Sequence, residues 1–102
     1  MRTATRRPAK SAIRARLEDL AAGLDLVFFD PPEIFDRAIV GLISGHGQEP
    51  AVLYDEQKVI EGYVASGMTA DEAQEWFDFN TAGSYLGTAT PRFLFARVDD
   101  HA

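Results

Sequence analysis

The residues most able to do chemistry in this chain are few and scattered. His46 lies in "SGHGQEP" beside Glu49, a spacing that could join a metal or form an acid–base pair. Asp30 and Asp36 flank a Pro-Pro turn and could act as paired carboxylates, one holding a proton and the other accepting one. Capping and turn formation explain both aspartates equally well, and a histidine between glycines is more often a solvated turn residue. Ser84 sits in "GSYLG", which lacks the G-x-S-x-G spacing of an activated serine. Gly45-x-Gly47 begins a phosphate-loop pattern, but Pro50 replaces its last glycine, and neither Lys10 nor Lys58 follows a glycine-rich loop. His101 stands at the C-terminal end. There is no cysteine, which removes disulfides, thiolate metal sites and thiol nucleophiles. These residues argue for a non-enzymatic protein without cofactor or metal. A small hydrolase or metal-dependent enzyme built on His46 and the Asp30–Asp36 region is the weaker alternative.

Recognition chemistry is better represented. In "ADEAQEWFDFNTAGSYLG", residues 70–87, Asp71, Glu75 and Asp78 fall on one side of a helical wheel, with Glu72 close by. Glu56 and Glu61 on a preceding helix extend this acidic face. Phe79 lies at its edge, where an exposed aromatic beside charges makes a binding anchor. The opposite side carries Ala73, Trp76, Phe77 and Asn80, with Gly83 a turn further on. That placement predicts Asn80 as a buried polar plug, hydrogen-bonded to backbone where Gly83 permits close approach.

The elements that must position these side chains are legible from periodicity. Ser11 caps a helix whose apolar stripe is Ile13, Leu17, Leu20 and Leu24, closed by Gly23, with Arg14 and Glu18 at pairing distance. "LVFF", residues 26–29, reads as a short buried strand stopped by Asp30-Pro31-Pro32. A helical turn is expected near 31–36, where Asp30 and Glu33 resemble a capping box. The segment 38–43 satisfies a helical period and also a β-branched strand with a mid-element glycine; the strand is preferred, followed by another at 51–54. Asp55 caps a helix with Val59, Ile60, Tyr63 and Val64 on one face, ended by Gly67. Thr69 and Glu72 form a capping box for a last helix from about 70 to 85. Pro91 precedes an alternating strand at 92–98. The expected fold is α+β: a small, mainly antiparallel sheet of three to four strands with about three helices on one face, in a single domain spanning 11–102.

Charge is distributed unevenly. The chain of 102 residues has a net charge of −6. Residues 1–16 nevertheless hold six basic residues and no acid, and the remainder holds four basic residues against sixteen acids. A flexible basic leader, residues 1–10, therefore precedes an acidic body. Arg2, Arg6, Arg7 and Lys10 could bring it to nucleic acid, although the body should repel phosphates. The acidic helix face instead suits a protein partner with a basic groove. Self-association is left open. No apolar run approaches the ~20 residues of a membrane span, and no apolar segment follows the basic leader as in a secretory signal, so a cytoplasmic protein is expected.

Several short blocks carry a resemblance. "DRAIVGLIS", "AVLYDEQKVIEGYVASGM", "ADEAQEWFDFNTAGSYLG" and "TPRFL" are similar to a family of small uncharacterised proteins of phages and prokaryotes, over about residues 28–95. Its pattern is a D-x-A-I-x-G strand, a second strand ending in Tyr-Asp, a helix leading to Gly-Met, and an EEA-type helix ending in aromatic-x-aromatic-Asn-Thr. The resemblance implies a hairpin at the A-I-x-G block and a phage-like or mobile-element accessory role. The family has no established activity, so no catalytic residue is carried over. The longer "SGHGQEP" loop and the basic leader depart from the pattern.

Overall fold

Buried backbone needs partners, and the order of elements follows from where each segment finds them. The computed structural model describes residues 11–98. The leader with Arg2, Arg6, Arg7 and Lys10, and also His101, lies outside the described residues. Helix α1 (Ala12–Leu20) is capped by Ser11, whose hydroxyl accepts the Arg14 N–H at 3.2 Å. Of its predicted stripe only Leu17 is buried, while Ile13, Leu20 and Leu24 are exposed. Helix α2 (Pro32–Phe35) is a single turn running into a 3-10 turn, Asp36–Ala38. The expected Asp30–Glu33 capping box does not form, because the N-cap is Pro31 and Asp30 turns to Arg14.

Strands β1 (Ile39–Gly45) and β2 (Gln48–Asp55) form an antiparallel hairpin from Ile39↔Tyr54 to Gly45↔Gln48. The strand alternative at 38–43 is the correct one. The predicted long loop shrinks to His46 and Gly47, with Gly47 taking the positive φ of 72° that the tight turn needs. Helix α3 (Glu56–Ala65) starts at the Asp55 cap, and α4 (Ala70–Trp76) starts at the Thr69–Glu72 capping box. The chain then makes a π turn, Phe77–Thr81, and reaches β3 (Arg92–Leu94).

The sheet order is β1-β2-β3, and β3 pairs with β2 in parallel, Tyr54 opposite Phe93. A parallel neighbour requires a crossover of a dozen or more residues, here supplied by α3, α4 and the π turn. The fold is thus α+β with a three-stranded mixed sheet. Two strand expectations need correction. Residues 26–29 join no ladder: the Phe29 N–H donates to the Tyr54 hydroxyl at 2.9 Å, and the Phe29 carbonyl accepts from Arg14 at 2.5 Å. Side chains therefore satisfy backbone groups that a sheet would have paired. The last strand stops at Leu94, which leaves Phe95 and Val98 exposed.

The core gathers on the central strand. Val52 and Tyr54 are fully enclosed, with Val59, Tyr63, Ala73 and Phe77 from the helices. Phe93 stacks on Phe29 at 5.7 Å between centroids and meets Phe77 edge-on at 4.9 Å. Among the described residues no helix is long and apolar enough to cross a membrane.

Two predictions follow from the α3 contacts. A Cβ at Gly62 would lie 2.7 Å from the Ile34 carbonyl oxygen, a backbone atom that cannot yield cheaply. Gly62→Ala should therefore cost about 1–3 kcal/mol in thermal or denaturant unfolding, although alanine is the better helix former. The second concerns Asp55. Burial would raise its pKa, but the Arg97 guanidinium at 3.0 Å and the Lys58 N–H lower it below the ordinary 3.8. Its contribution to stability is full above about pH 4 and is lost as pH falls through the depressed folded value. Arg97→Ala should shrink this acid-side loss, measured as the change in denaturation midpoint between neutral pH and pH 3.

Candidate functional site

A helix delivers a side chain every 100°, so Ala73 and Phe77 share a face and both are buried. Strict continuation would bring Asn80 near that face. Instead the Ala82 N–H donates to the Phe77 carbonyl at 2.8 Å, an i→i+5 bond that widens the turn and slows its rotation. Thr81 arrives at the buried face and Asn80 is carried to the surface. The plug is therefore Thr81, 4% exposed, whose hydroxyl lies 2.5 Å from that of Tyr63. Asn80 is exposed, and Ser84 bonds its backbone carbonyl rather than its side chain. Gly83 makes no close approach, since a Cβ there would meet nothing within 4 Å.

Two aromatic side chains lie on the outer side of this segment. Trp76, expected inside, is 49% exposed, and Phe79 is 78% exposed. Two hollows of about 380 and 370 Å³ share Met68, Trp76 and Asn80 as lining residues. The first also reaches Glu72, Glu75 and Phe79; the second reaches Asp30, Pro31, Ile34 and Phe29. Together they make one groove between the segment 29–34 and the outer side of α4.

Its charge is negative. Asp71, Glu72, Glu75 and Asp78 are all exposed, as predicted for a solvated stripe. Glu72 accepts the Thr69 N–H at 2.9 Å and Asp78 accepts from the Gln74 amide at 3.1 Å. Among the described residues Asp71 and Glu75 have no ion-pair partner. Glu56 joins this field: burial raises its pKa, and the negative charges of Asp78 and Asp55 raise it further. Glu61 is also exposed.

The far wall is fixed by Arg14. Its guanidinium donates to Asp36 at 2.8 Å, to Asp30 at 3.1 Å and to the Phe29 carbonyl, and it lies 4.8 Å from the Phe28 ring centre. Burial alone would lower the Arg14 pKa, but the Asp36 and Asp30 contacts raise it. Tyr54, pushed up to about 12 mainly by burial, completes this knot through Phe29. Asp30 and Asp36 are thus both bound to one arginine and do not form a free carboxylate pair. His46 is exposed at the hairpin turn, the length of β1 away from Asp36, roughly 20 Å for seven strand residues. The enzyme alternative needed these three residues in one pocket, and the fold separates them. No group of three or more histidine, aspartate or glutamate side chains among the described residues could hold a metal ion.

Comparisons with known proteins add nothing to this geometry: no family model, no curated protein and no solved structure matches the chain. Sequence periodicity located the acids and Phe79 but missed Trp76, Met68 and the 29–34 wall. The signal that could have exposed the slip was Tyr63, a buried hydroxyl needing a partner that Asn80 does not supply.

The Tyr63–Thr81 pair is testable by a double-mutant cycle. Tyr63→Phe and Thr81→Val should each cost about 1–2 kcal/mol by stranding the other hydroxyl. The combined variant should cost less than the two together, because neither hydroxyl is left buried alone. Asn80→Ala should change stability by under about 0.5 kcal/mol.

Proposed function

We propose that the chain is a non-enzymatic accessory protein of phage-like or mobile-element type that acts through protein contacts. The groove beside α4 is its working surface. It takes a basic partner segment that also offers apolar side chains. The observation that carries this reading is the joint exposure of Trp76 and Phe79 beside Glu72 and Glu75 around one hollow. Aromatic anchors supply buried area on binding, while the carboxylates steer and orient the cationic partner. The acids also disfavour phosphate-rich ligands, which sets this role apart from a nucleic-acid role for the leader.

Trp76 is the single tryptophan of the chain and reports on the groove directly. Titration with an amphipathic peptide of alternating arginine and leucine should change its emission saturably, more weakly as salt rises. Phe79→Ala should weaken binding about tenfold, the loss expected from truncating an anchor of about 1.4 kcal/mol. The triple change Asp71→Lys, Glu75→Lys, Asp78→Lys should leave the circular dichroism unchanged and abolish binding. Undiminished binding by that folded variant would overturn the proposal, and capture of duplex DNA in place of the peptide would move the role to the leader.

A further inference from the structure

The groove has a candidate occupant within the same chain. We infer that the basic leader, residues 1–10, docks intramolecularly on the acidic, aromatic groove beside α4 and competes with the partner for it. This inference rests on the groove being a recognition surface. Three observations carry it.

The first is where the leader joins the body. Ser11 caps α1, and Arg14 in the first turn of that helix grips Asp30 at 3.1 Å. Asp30 lines the groove, so the leader joins the body one helical turn from an arginine whose side chain reaches the groove's wall. The second is reach. Ten residues span up to roughly 33 Å when extended. The twelve residues of α4 and the π turn, Ala70–Thr81, cover only about 18 Å. An extended leader is therefore longer than that stretch by about 15 Å, which is available for crossing from Ser11 to the groove.

The third is complementarity. "MRTATRRPAK" holds Arg2, Arg6, Arg7 and Lys10 and no acid. Opposite stand Glu72 and Glu75, with Asp71 and Asp78 beyond them. An arginine can lie on the exposed indole of Trp76, where its cation meets the ring's negative face, and Pro8 can pack on the same ring. The leader has no aromatic residue of its own, and the groove supplies the aromatic surface. A tether this short also holds the leader at a millimolar effective concentration, so individually weak contacts are populated. Because the contacts are exposed and ionic, salt should release them.

The test uses the full chain and the fluorescence of Trp76, with acrylamide as quencher. At about 10 mM salt, the parent should be quenched about half as strongly as the variant Arg2→Ser, Arg6→Ser, Arg7→Ser, Lys10→Ser. At about 500 mM salt the two should coincide. The protection should be the same across a hundredfold range of protein concentration. A second variant, Asp71→Asn with Glu75→Gln, should lose it as well, with its fold checked by circular dichroism. The leader variant should also bind the arginine–leucine peptide a few-fold more tightly at low salt. Equal quenching of parent and leader variant at low salt overturns the inference. So does protection that grows with protein concentration, which would mean a second copy's leader, or protection that survives neutralisation of Asp71 and Glu75. Quenching is read without any partner, so a failure of peptide binding with leader protection intact would remove the proposed function and the competition with it, and leave only the docking of the leader.

Discussion

One hydroxyl pair governs the outer surface of this protein. Tyr63 is 5% exposed, and burial pushes its phenol upward in pKa while its contact with Thr81 opposes that rise. A buried phenol without a partner is costly, and the nearest chain able to supply one is the end of α4. After Phe77 the helix turns more slowly through the i→i+5 bond, which shifts Thr81 toward Tyr63 and carries Asn80 outward. The adjustment is local, but everything beyond it moves in phase. Asn80 becomes a surface residue, and Phe79 stands exposed beside it. π turns recur at functional sites because they re-aim side chains without ending the helix.

The opposite wall of the groove depends on a second constraint. Residues 26–31 belong to no regular element, so their placement rests on side chains. Arg14 ties Phe29, Asp30 and Asp36 together from α1, and Tyr54 holds Phe29 from the central strand. The arginine and Asp36 are largely buried, at 12% and 11% side-chain exposure, while Asp30 is 73% exposed. Replacing such a buried pair with well-packed apolar residues often leaves stability unchanged, so its main effect is to fix geometry. Asp30 is left as the exposed end of the knot, facing the groove. One oxygen of Asp36 has no protein partner, and a pair optimised for stability would satisfy it.

Local signals and long-range ones differed in how well the sequence displayed them. Ser11, Asp55 and the Thr69–Glu72 box each began a helix where capping chemistry placed it, because a cap is decided within four residues. The hairpin was legible from Ile39, Val40 and the glycines near 45–47. The parallel placement of β3 was not, since nothing in "RFLFARV" states which edge it will join. "LVFF" has a strand's composition, but its hydrogen bonds go to Tyr54 and Arg14, which are 25 and 15 residues away from Phe29. Asn80 failed for a different reason. A fixed 100° period cannot anticipate a π turn, and one wider turn exchanged the environments of Asn80 and Thr81. For the candidate site, the acids were visible because exposure needs only helical phase. Trp76 was not, because it lies about 60° from Ala73 on the helical wheel, at the edge of the buried arc, and the packing leaves it on the outer side.

The acidic field has an energetic signature of its own. Glu56 is partly buried beside Asp55 and Asp78, and their charges oppose its ionisation. Asp71 and Glu75 stand one turn apart on α4, a like-charge spacing that destabilises a helix by a few tenths of a kcal/mol. Placement in the first turn compensates Asp71 but not Asp78, which lies at the C-terminal side where the helix dipole disfavours anions. Arg97 pairs with Asp55, and Arg14 pairs with Asp30 and Asp36, so these two cations are engaged away from the α4 acids. A cation approaching the α4 acids from solvent relieves part of that repulsion. An approaching cation therefore gains both its own attraction and the relief of that repulsion. Under the proposed function, the exposed rings of Trp76 and Phe79 would favour cations carried on a chain that also covers aromatic surface, a basic polypeptide over simple salt.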